Sequence, residues 1–280
     1  MSRVDVQGRD SLSLPEQKAA HLGRLLKEYG RVAVAFSGGV DSSLLLHVAL
    51  EELGAGNVLV LHGRSILQKK SDRERAGSWL ARHGIPAGVE QAWLDIEPLS
   101  WKEFVANPEE RCYLCKLRLY RLFREQAEAR GFYCLVDGTN ADDLKDRRPG
   151  LRAIHELGVR TPLVEAGLAK EEIRQLSRVR GLDTADQPSS SCLATRIPHG
   201  TRITPERLRR IEEWERGLED MGLAGCRVKM SAVSPVQVKV ELQAVDLERI
   251  FKPSFRLAVL RFFQKNNVEK VFVDLEGRKK

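Results

Sequence analysis

The first two thirds of the chain alternate between short apolar runs and stretches of helical periodicity. Residues 31–36 form a β-rich apolar run, and residues 44–50, followed by a glycine at 54, are typical of a buried helix. Similar signals predict strands at 57–61, 87–93 and 132–137 and helices at 17–29, 72–83, 101–106, 116–130 and 169–180. Repeated β-then-α order predicts an α/β fold with a parallel sheet wrapped by helices. The polar loops 37–43, 62–68 and 137–148 should then share the carboxyl edge of that sheet.

The pattern changes beyond Asp186, where residues 187–200 are rich in turn formers and lack periodicity. Thr204 followed by Pro205 predicts the start of a helix. Strands at 226–230, 236–242 and 270–275, with a helix at 246–264 kinked by Pro253, predict a small α+β domain. The predicted organisation is a flexible leader (1–15), a nucleotide-binding domain (16–190) and an α+β domain (191–280).

The number of cysteines and the net charge limit the classes of protein to which the chain can belong. The 280 residues include five cysteines, an odd number that argues against a secreted disulfide framework and for free or metal-bound thiols in a reducing compartment. The chain starts without an apolar targeting segment, and residues 44–50 are too few to cross a bilayer, so we expect a cytoplasmic protein with no membrane partner. The net charge of +7 permits an anionic partner but does not identify it, because acidic and basic residues are mixed.

A glycine-rich turn follows the first strand. Its residues are Ser37, Gly38, Gly39, Val40, Asp41, Ser42 and Ser43. Two glycines between a strand and a helix allow successive N–H groups to point inward and bind an anion, and the serines add hydroxyl donors. The loop has no lysine of the G-x-x-x-x-G-K-[ST] type and does not follow the G-x-G-x-x-G pattern. Neither γ-phosphate hydrolysis nor dinucleotide binding is therefore the natural interpretation.

A second polar loop follows the strand that ends at Asp137. It contains Gly138, Thr139, Asn140, Asp142 and Asp143. The carboxylates suit a Mg²⁺ ion that bridges phosphates, but an Asx-rich turn at a helix start explains them equally well. Arg147 and Arg148 either bind phosphate or belong to a solvated turn. The sequence leaves both questions open.

Three cysteines lie in polar surroundings. Cys112 and Cys115 open a predicted helix, where the helix dipole favours thiolates, and Cys192 lies in the connector with no visible packing role. Three thiolates suit a [4Fe–4S] cluster with one iron left open, although a redox pair or unreactive thiols are alternatives for Cys112 and Cys115. Cys134 is expected in the core, and Cys226 has no clear interpretation.

The glycine-rich turn resembles the pyrophosphate loop of the ATP pyrophosphatase superfamily. That resemblance implies a Rossmann-like adenine-nucleotide α-hydrolase fold and attack of a substrate oxygen on the α-phosphate of ATP, with Mg²⁺. The order of further motifs is similar to that of the LarE family of sulfur transferases. These motifs are residues 107–108, 111–116, 138–143, 148–150, 188, 192–200 and 227–229.

The LarE resemblance implies a substrate and a sulfur source. The expected reaction is ATP-dependent adenylation of pyridinium-3,5-biscarboxylic acid mononucleotide and its conversion to the bisthiocarboxylate precursor of the nickel-pincer nucleotide. In the family, a single cysteine matching Cys192 donates its sulfur, or three matching Cys112, Cys115 and Cys192 hold a [4Fe–4S] cluster with an extra sulfide. The three cysteines place this chain in the second group. A sulfide source and a further copy of the chain are the other expected partners.

The expected acceptor is a dicarboxylate that carries a phosphate, so cations should lie near Cys192. Arg196, Arg227 and Lys229 are the residues expected to line this pocket, with surface charge as the alternative. The sequence departs from the family pattern at Lys229, which replaces an arginine, and in the loop 63–68. Both departures weaken the assignment of the substrate more than the assignment of ATP.

Two other functions fit parts of the pattern. A tRNA-thiolating enzyme also combines a pyrophosphate loop with three cysteines, but the basic residues of 202–216 alternate with glutamates, as on a solvated helix face. A non-catalytic nucleotide sensor would share the fold without releasing pyrophosphate.

Overall fold

The computed structural model describes residues 13–85, 88–145, 149–234 and 236–278, and this part of the chain forms two β-sheets surrounded by helices. The strands are β1 (Val32–Ala35), β2 (Val58–Arg64), β3 (Glu90–Asp95), β4 (Cys134–Asp137), β5 (Arg227–Met230), β6 (Gln237–Glu241) and β7 (Lys270–Val273). The helices are α1 (Leu14–Tyr29), α2 (Val40–Leu53), α3 (Lys70–Gly77), α4 (Trp79–Arg82), α5 (Lys102–Val105), α6 (Arg111–Glu128), α7 (Pro149–Glu156), α8 (Pro162–Glu165), α9 (Lys170–Val179), α10 (Pro205–Asp220), α11 (Leu247–Phe251) and α12 (Pro253–Lys265).

The first sheet has the strand order β3-β2-β1-β4, and every pairing in it is parallel. Alternate residues of β1 face opposite sides: Val32 and Val34 pack with α1, α2 and α9, whereas Ala33 and Ala35 pack with α6. A strand buried on both faces needs a continuous apolar run, which is why β1 could be recognised in the sequence. The predicted parallel α/β architecture is confirmed.

The second sheet has the order β5-β6-β7, with β5 antiparallel and β7 parallel to β6. Together with α10 and α12 it encloses a separate hydrophobic cluster, which confirms the smaller α+β unit. This cluster also includes Leu67 and Phe104 from the first part of the chain. The exact domain limits therefore stay a prediction.

Several elements differ from the prediction. The helix predicted at 72–83 is two helices, α3 and α4, and the one at 246–264 is divided at Lys252, whose extended backbone precedes Pro253. Helix α7, in which Pro149 is the first residue, was not predicted. Helix α1 begins at Leu14, within the expected leader, and residues 1–12 lie outside the described residues. None of the described helices has both the length and the apolar character that a membrane crossing requires.

Candidate active site

The glycine-rich turn of residues 37–43, the expected phosphate loop, runs from the end of β1 into α2. Gly38 has a φ of 74°, and a Cβ atom there would lie 2.7 Å from the Ala76 Cβ, so both conformation and space require glycine. The Ser42 Oγ lies 3.1 Å from the Ser37 Oγ and donates to the Gly39 carbonyl at 3.1 Å. Gly39 is the N-cap of α2 and has no side chain to cap the helix. The first N–H groups of α2 are therefore available to an anion.

Asp41 lies in the first turn of α2 and is held by side chains from two other elements. The Lys170 Nζ lies 2.5 Å from its Oδ2, and the Asn140 amide donates to its Oδ1 at 3.2 Å. Burial raises the pKa of the Asp41 carboxyl, and Lys170 offsets part of that rise. Lys170 is a site residue that sequence reasoning missed, since nothing distinguishes it from an ordinary residue at a helix start.

The remaining residues of the loop face the core. Val40 packs in the first hydrophobic cluster, and Ser43 is fully buried. Among the described residues, no group hydrogen-bonds the Ser43 hydroxyl. Of the seven loop residues, Ser37, Gly38, Gly39, Asp41 and Ser42 therefore lie at the open helix start, whereas Val40 and Ser43 face the core.

The loop after β4 lies directly against the phosphate loop. A Cβ atom on Gly138 would lie 2.9 Å from the Ser42 backbone nitrogen, so these two backbones touch. The Thr139 N–H donates to the Asp137 Oδ1 at 2.7 Å, which fixes the turn between them. The expectation that the loops 37–43 and 137–148 share one edge is thus confirmed for residues 37–43 and 137–145, which the structure describes. The remaining polar loop of the prediction, residues 62–68, lines a neighbouring cleft of about 720 Å³ together with Arg73, Asp95 and Glu97.

The acidic residues of this second loop have local partners. The Asn140 side chain accepts from the N–H groups of Asp142 and Asp143, and the Asp143 carboxylate accepts from the Asn140 N–H. Asp142 accepts from Lys145 and from the Lys170 N–H. This is the Asx-rich turn that the sequence offered as one alternative, and the Mg²⁺ site stays a prediction. Arg147 and Arg148 lie outside the described residues.

The Cys192 segment is held against the start of α6. Arg111 is buried, and its guanidinium donates to the Ala194 carbonyl at 2.9 Å and to the Asn107 side chain. Asn107 in turn donates to the carbonyls of Pro198 and Thr201, both at 2.8 Å. Asparagine and arginine therefore precede the Cys-x-x-Cys pair for a structural reason. Their hydrogen bonds hold the Cys192 segment against the helix that carries the other two cysteines.

The thiols of Cys112, Cys115 and Cys192 are free, partly buried and close enough to interact electrostatically. The pKa of the Cys115 thiol is raised to about 12, mainly by burial and also by the nearby Cys192 and Cys112. Burial also raises the pKa of the Cys192 thiol, against the effect of the Ala194 N–H and Arg111. Burial therefore opposes the thiolate that the helix start is expected to favour at Cys115.

The two remaining cysteines lie apart from this group. Cys134 packs against the first hydrophobic cluster from β4, as expected. Cys226 is buried, and its thiol donates to the Glu215 carbonyl at 3.6 Å.

Arg196 is almost completely buried and binds Glu215, which is fully buried. Its Nε lies 2.8 Å from the Glu215 Oε1, and its Nη1 donates to the Ser191 and Cys192 carbonyls at 2.9 and 3.2 Å. Lys69 reaches the other Glu215 oxygen at 2.7 Å. In this arrangement Arg196 positions the Cys192 segment, and its assignment to the acceptor pocket stays a prediction.

The other two expected acceptor residues lie on β5. The Lys229 Nζ lies 2.5 Å from the Glu241 carboxylate of the neighbouring strand. The pKa of Arg227 is lowered to about 10, mainly by burial and also by the nearby cations Arg278 and Arg196. Within the described residues, the buried Nε atoms of Arg227 and Arg278 have no hydrogen-bond partner. Arg278 is a second residue that sequence reasoning missed, because it lies far along the chain from every motif.

Comparison with known proteins agrees with this geometry. The chain is 34% identical over 212 residues to the pyridinium-3,5-bisthiocarboxylic acid mononucleotide synthase of Lactiplantibacillus plantarum, a match that covers 76% of the chain and 75% of that protein. The chain belongs to the LarE family. The resemblance drawn from the motifs is therefore confirmed, and with it membership of an enzyme family.

Two further relatives of this LarE chain differ in coverage. An uncharacterized protein of Synechocystis is 33% identical over 264 residues, which are 94% of the chain and 95% of that protein. A subunit of the glutamine-hydrolyzing GMP synthase of Thermoplasma volcanium is 31% identical over 171 residues, 57% of the chain and 54% of that protein. The second match supports the nucleotide-binding fold. No established family profile matches the chain.

Proposed function

We propose that this protein uses ATP to adenylate the carboxylates of pyridinium-3,5-biscarboxylic acid mononucleotide, releases AMP and pyrophosphate, and inserts sulfur to form the bisthiocarboxylate. The observation that carries this proposal is the contact between an open helix start at the phosphate loop and the loop after β4, while Lys116, next to Cys115, lies 3.8 Å from Asp137 at the end of β4. The name of the Lactiplantibacillus relative supports the product.

The adenylation step uses charges that the chain supplies. The N–H groups at the start of α2 and the Lys170 ammonium bind the phosphates, with Asp41 and Asp142 available to a Mg²⁺ ion. Gly138, Thr139 and Asn140 keep the second loop close to the phosphates. A carboxylate oxygen of the acceptor then attacks the α-phosphorus and pyrophosphate leaves.

The thiols of Cys112, Cys115 and Cys192 fit an iron–sulfur cluster by donor type and proximity. Among the described residues, no three His, Cys, Asp or Glu side chains converge closely enough for a single metal ion. A [4Fe–4S] cluster instead takes each thiolate on a different iron. When bound, it would supply sulfide as a nucleophile. The chain holds the three thiols together through Arg111 and Asn107 and limits their contact with water.

The acceptor is proposed to bind near Arg227, whose buried Nε has no hydrogen-bond partner among the described residues and whose guanidinium lies close enough to Arg278 and Arg196 to interact electrostatically. Lys229 contributes a weaker and more exposed cation, since it already pairs with Glu241. The proposal includes the division into units 16–190 and 191–280, a cytoplasmic homo-oligomer and a small-molecule sulfide donor.

Product analysis tests the adenylation. Protein purified without oxygen is incubated with Mg²⁺, ATP and the biscarboxylate mononucleotide. AMP and pyrophosphate should form together and only with the acceptor present, and Ser37→Ala and Asp41→Ala should reduce the rate without loss of the folded circular dichroism spectrum. Accumulation of ADP and phosphate would contradict the proposal.

A further inference from the structure

Lys116 follows Cys115 on α6 and directs its ammonium toward the carboxyl edge of the first sheet. Its Nζ lies 3.8 Å from the Asp137 Oδ2 and 5.4 Å from the centre of the Tyr120 ring. Asp137 is the last residue of β4, directly before the glycine that touches the phosphate loop. The ammonium therefore lies near the carboxyl end of β4, on the helix that also carries Cys112 and Cys115.

Asp137 attracts this ammonium without a hydrogen bond to it. Its carboxylate accepts from the Thr139 N–H and hydroxyl and from the Tyr120 hydroxyl. A separation of 3.8 Å is longer than a hydrogen bond, and within residues 13–85, 88–145, 149–234 and 236–278 no acceptor takes a hydrogen bond from Lys116. An ammonium has three donors, so this one can still bind a ligand.

A glycine makes room for the lysine side chain. A Cβ atom on Gly150 would lie 2.9 Å from the Lys116 Cδ. The φ of Gly150 is not in the left-handed region, so its backbone does not require glycine. Space for the Lys116 methylenes is the visible reason for glycine at the start of α7.

We propose that Lys116 binds the acceptor carboxylate that is adenylated, an assignment that rests on the proposed function. Lys170 supplies a cation on the phosphate side of the site, at Asp41, whereas Lys116 supplies one on the thiol side. The step joins a carboxylate oxygen to the α-phosphorus and breaks the bond to the β-phosphate, whose electron pair leaves with pyrophosphate. Because both reactants are anions, a cation held at the carboxylate lowers their repulsion.

Binding of pyridine-3,5-dicarboxylate tests the assignment. Calorimetry is performed with the full chain, Mg²⁺ and α,β-methylene-ATP, whose bridge between the α- and β-phosphates cannot be cleaved, so the dicarboxylate binds without being adenylated. Lys116→Met should weaken dicarboxylate binding by about tenfold or more, the effect of losing a charged hydrogen bond, with nucleotide affinity within about twofold. Lys116→Arg should restore part of the affinity. Gly150→Ala should weaken binding as well, since it displaces the lysine and keeps its charge.

Lys102→Met is the matched control, since Lys102 is exposed on the neighbouring helix α5. This variant should bind the dicarboxylate as the wild type does. Equal dicarboxylate affinity in wild type and Lys116→Met would overturn the assignment, and so would an equal loss of nucleotide affinity, which would make Lys116 a phosphate ligand. Thermal unfolding verifies that each variant is folded, and Lys116→Gln, which also removes the charge, replaces Lys116→Met if the latter is not. Pyrophosphate release by the wild type is measured separately, so failure of the adenylation reaction is distinguishable from failure at Lys116.

Discussion

Gly138 shows how a single absent side chain sets the distance between two loops. Its backbone touches the backbone of Ser42 in the phosphate loop, and that contact brings Asn140 within reach of Asp41. The sequence shows a glycine after a strand, but not which backbone approaches it. Such a contact depends on the order of strands in the sheet, which local sequence does not encode.

Gly138→Ala should separate the two loops. The added Cβ would meet backbone, which cannot rotate away as a side chain can, so we expect a loss of about 1–3 kcal/mol in the free energy of unfolding. The increase in unfolding temperature that Mg²⁺ and ATP produce should be lost as well, because the anion site is distorted. Gly56→Ala is the control, since a Cβ there meets nothing within 4 Å. Unchanged stabilisation by ATP in Gly138→Ala would contradict this account.

Helix α10 connects the two sheets through one buried carboxylate. Glu215 binds Arg196 of the Cys192 segment and Lys69 of the loop after β2, and also accepts from the Val228 N–H of β5 at 3.0 Å. Burial alone would raise the pKa of Glu215, but Arg196 and Lys69 hold it below its ordinary value. The ion pairs thus stabilise this charge in the interior.

Glu215→Gln should destabilise the fold by about 3–5 kcal/mol, because it leaves two buried cations without their shared partner. In the wild type, the lowered pKa means that this contribution is complete above the ordinary value of 4.5 and is lost as the pH falls through the folded-state pKa. Urea unfolding at pH 7 and at several values below 4.5 measures both effects. The difference between wild type and variant should shrink on acidification, whereas a constant difference would disprove the linkage. Glu213→Gln, at an exposed position of the same helix, is the control.

At the scale of elements, periodicity located most helices and strands, while proline and glycine marked some ends. The start of α10 was predictable because Thr204 caps it and Pro205 suits its first position. Helix α7 was missed because Arg-Pro-Gly is also typical of a turn, and only packing against α6 distinguishes the two. Site residues adjacent to a motif were likewise predictable, whereas Lys170 and Arg278 lie near the site only through the tertiary fold.

At the scale of the whole molecule, the proposed sulfur site joins two distant parts of the chain. Cys112 and Cys115 belong to a helix on the first sheet, and Cys192 to the connector that leads to the second unit. A donor cysteine acting alone would need no such neighbours. Arg111, Asn107 and Arg196 all hold this connector in place, which fits three thiols that act together.

Sulfur should therefore come from a cluster held by these thiols, and the protein should turn over more than once. Cys112→Ala, Cys115→Ala and Cys192→Ala should each lose most of the bound iron and visible absorbance after anaerobic purification, together with sulfur transfer, because three ligands are needed. Pyrophosphate release should largely survive, since none of these cysteines belongs to the phosphate loop. Cys134→Ala is the control and should retain its iron, because that thiol packs on β4. Intact-protein mass after several turnovers gives the decisive measurement: conversion of Cys192 to dehydroalanine in proportion to product would show that the cysteine itself is the sulfur donor.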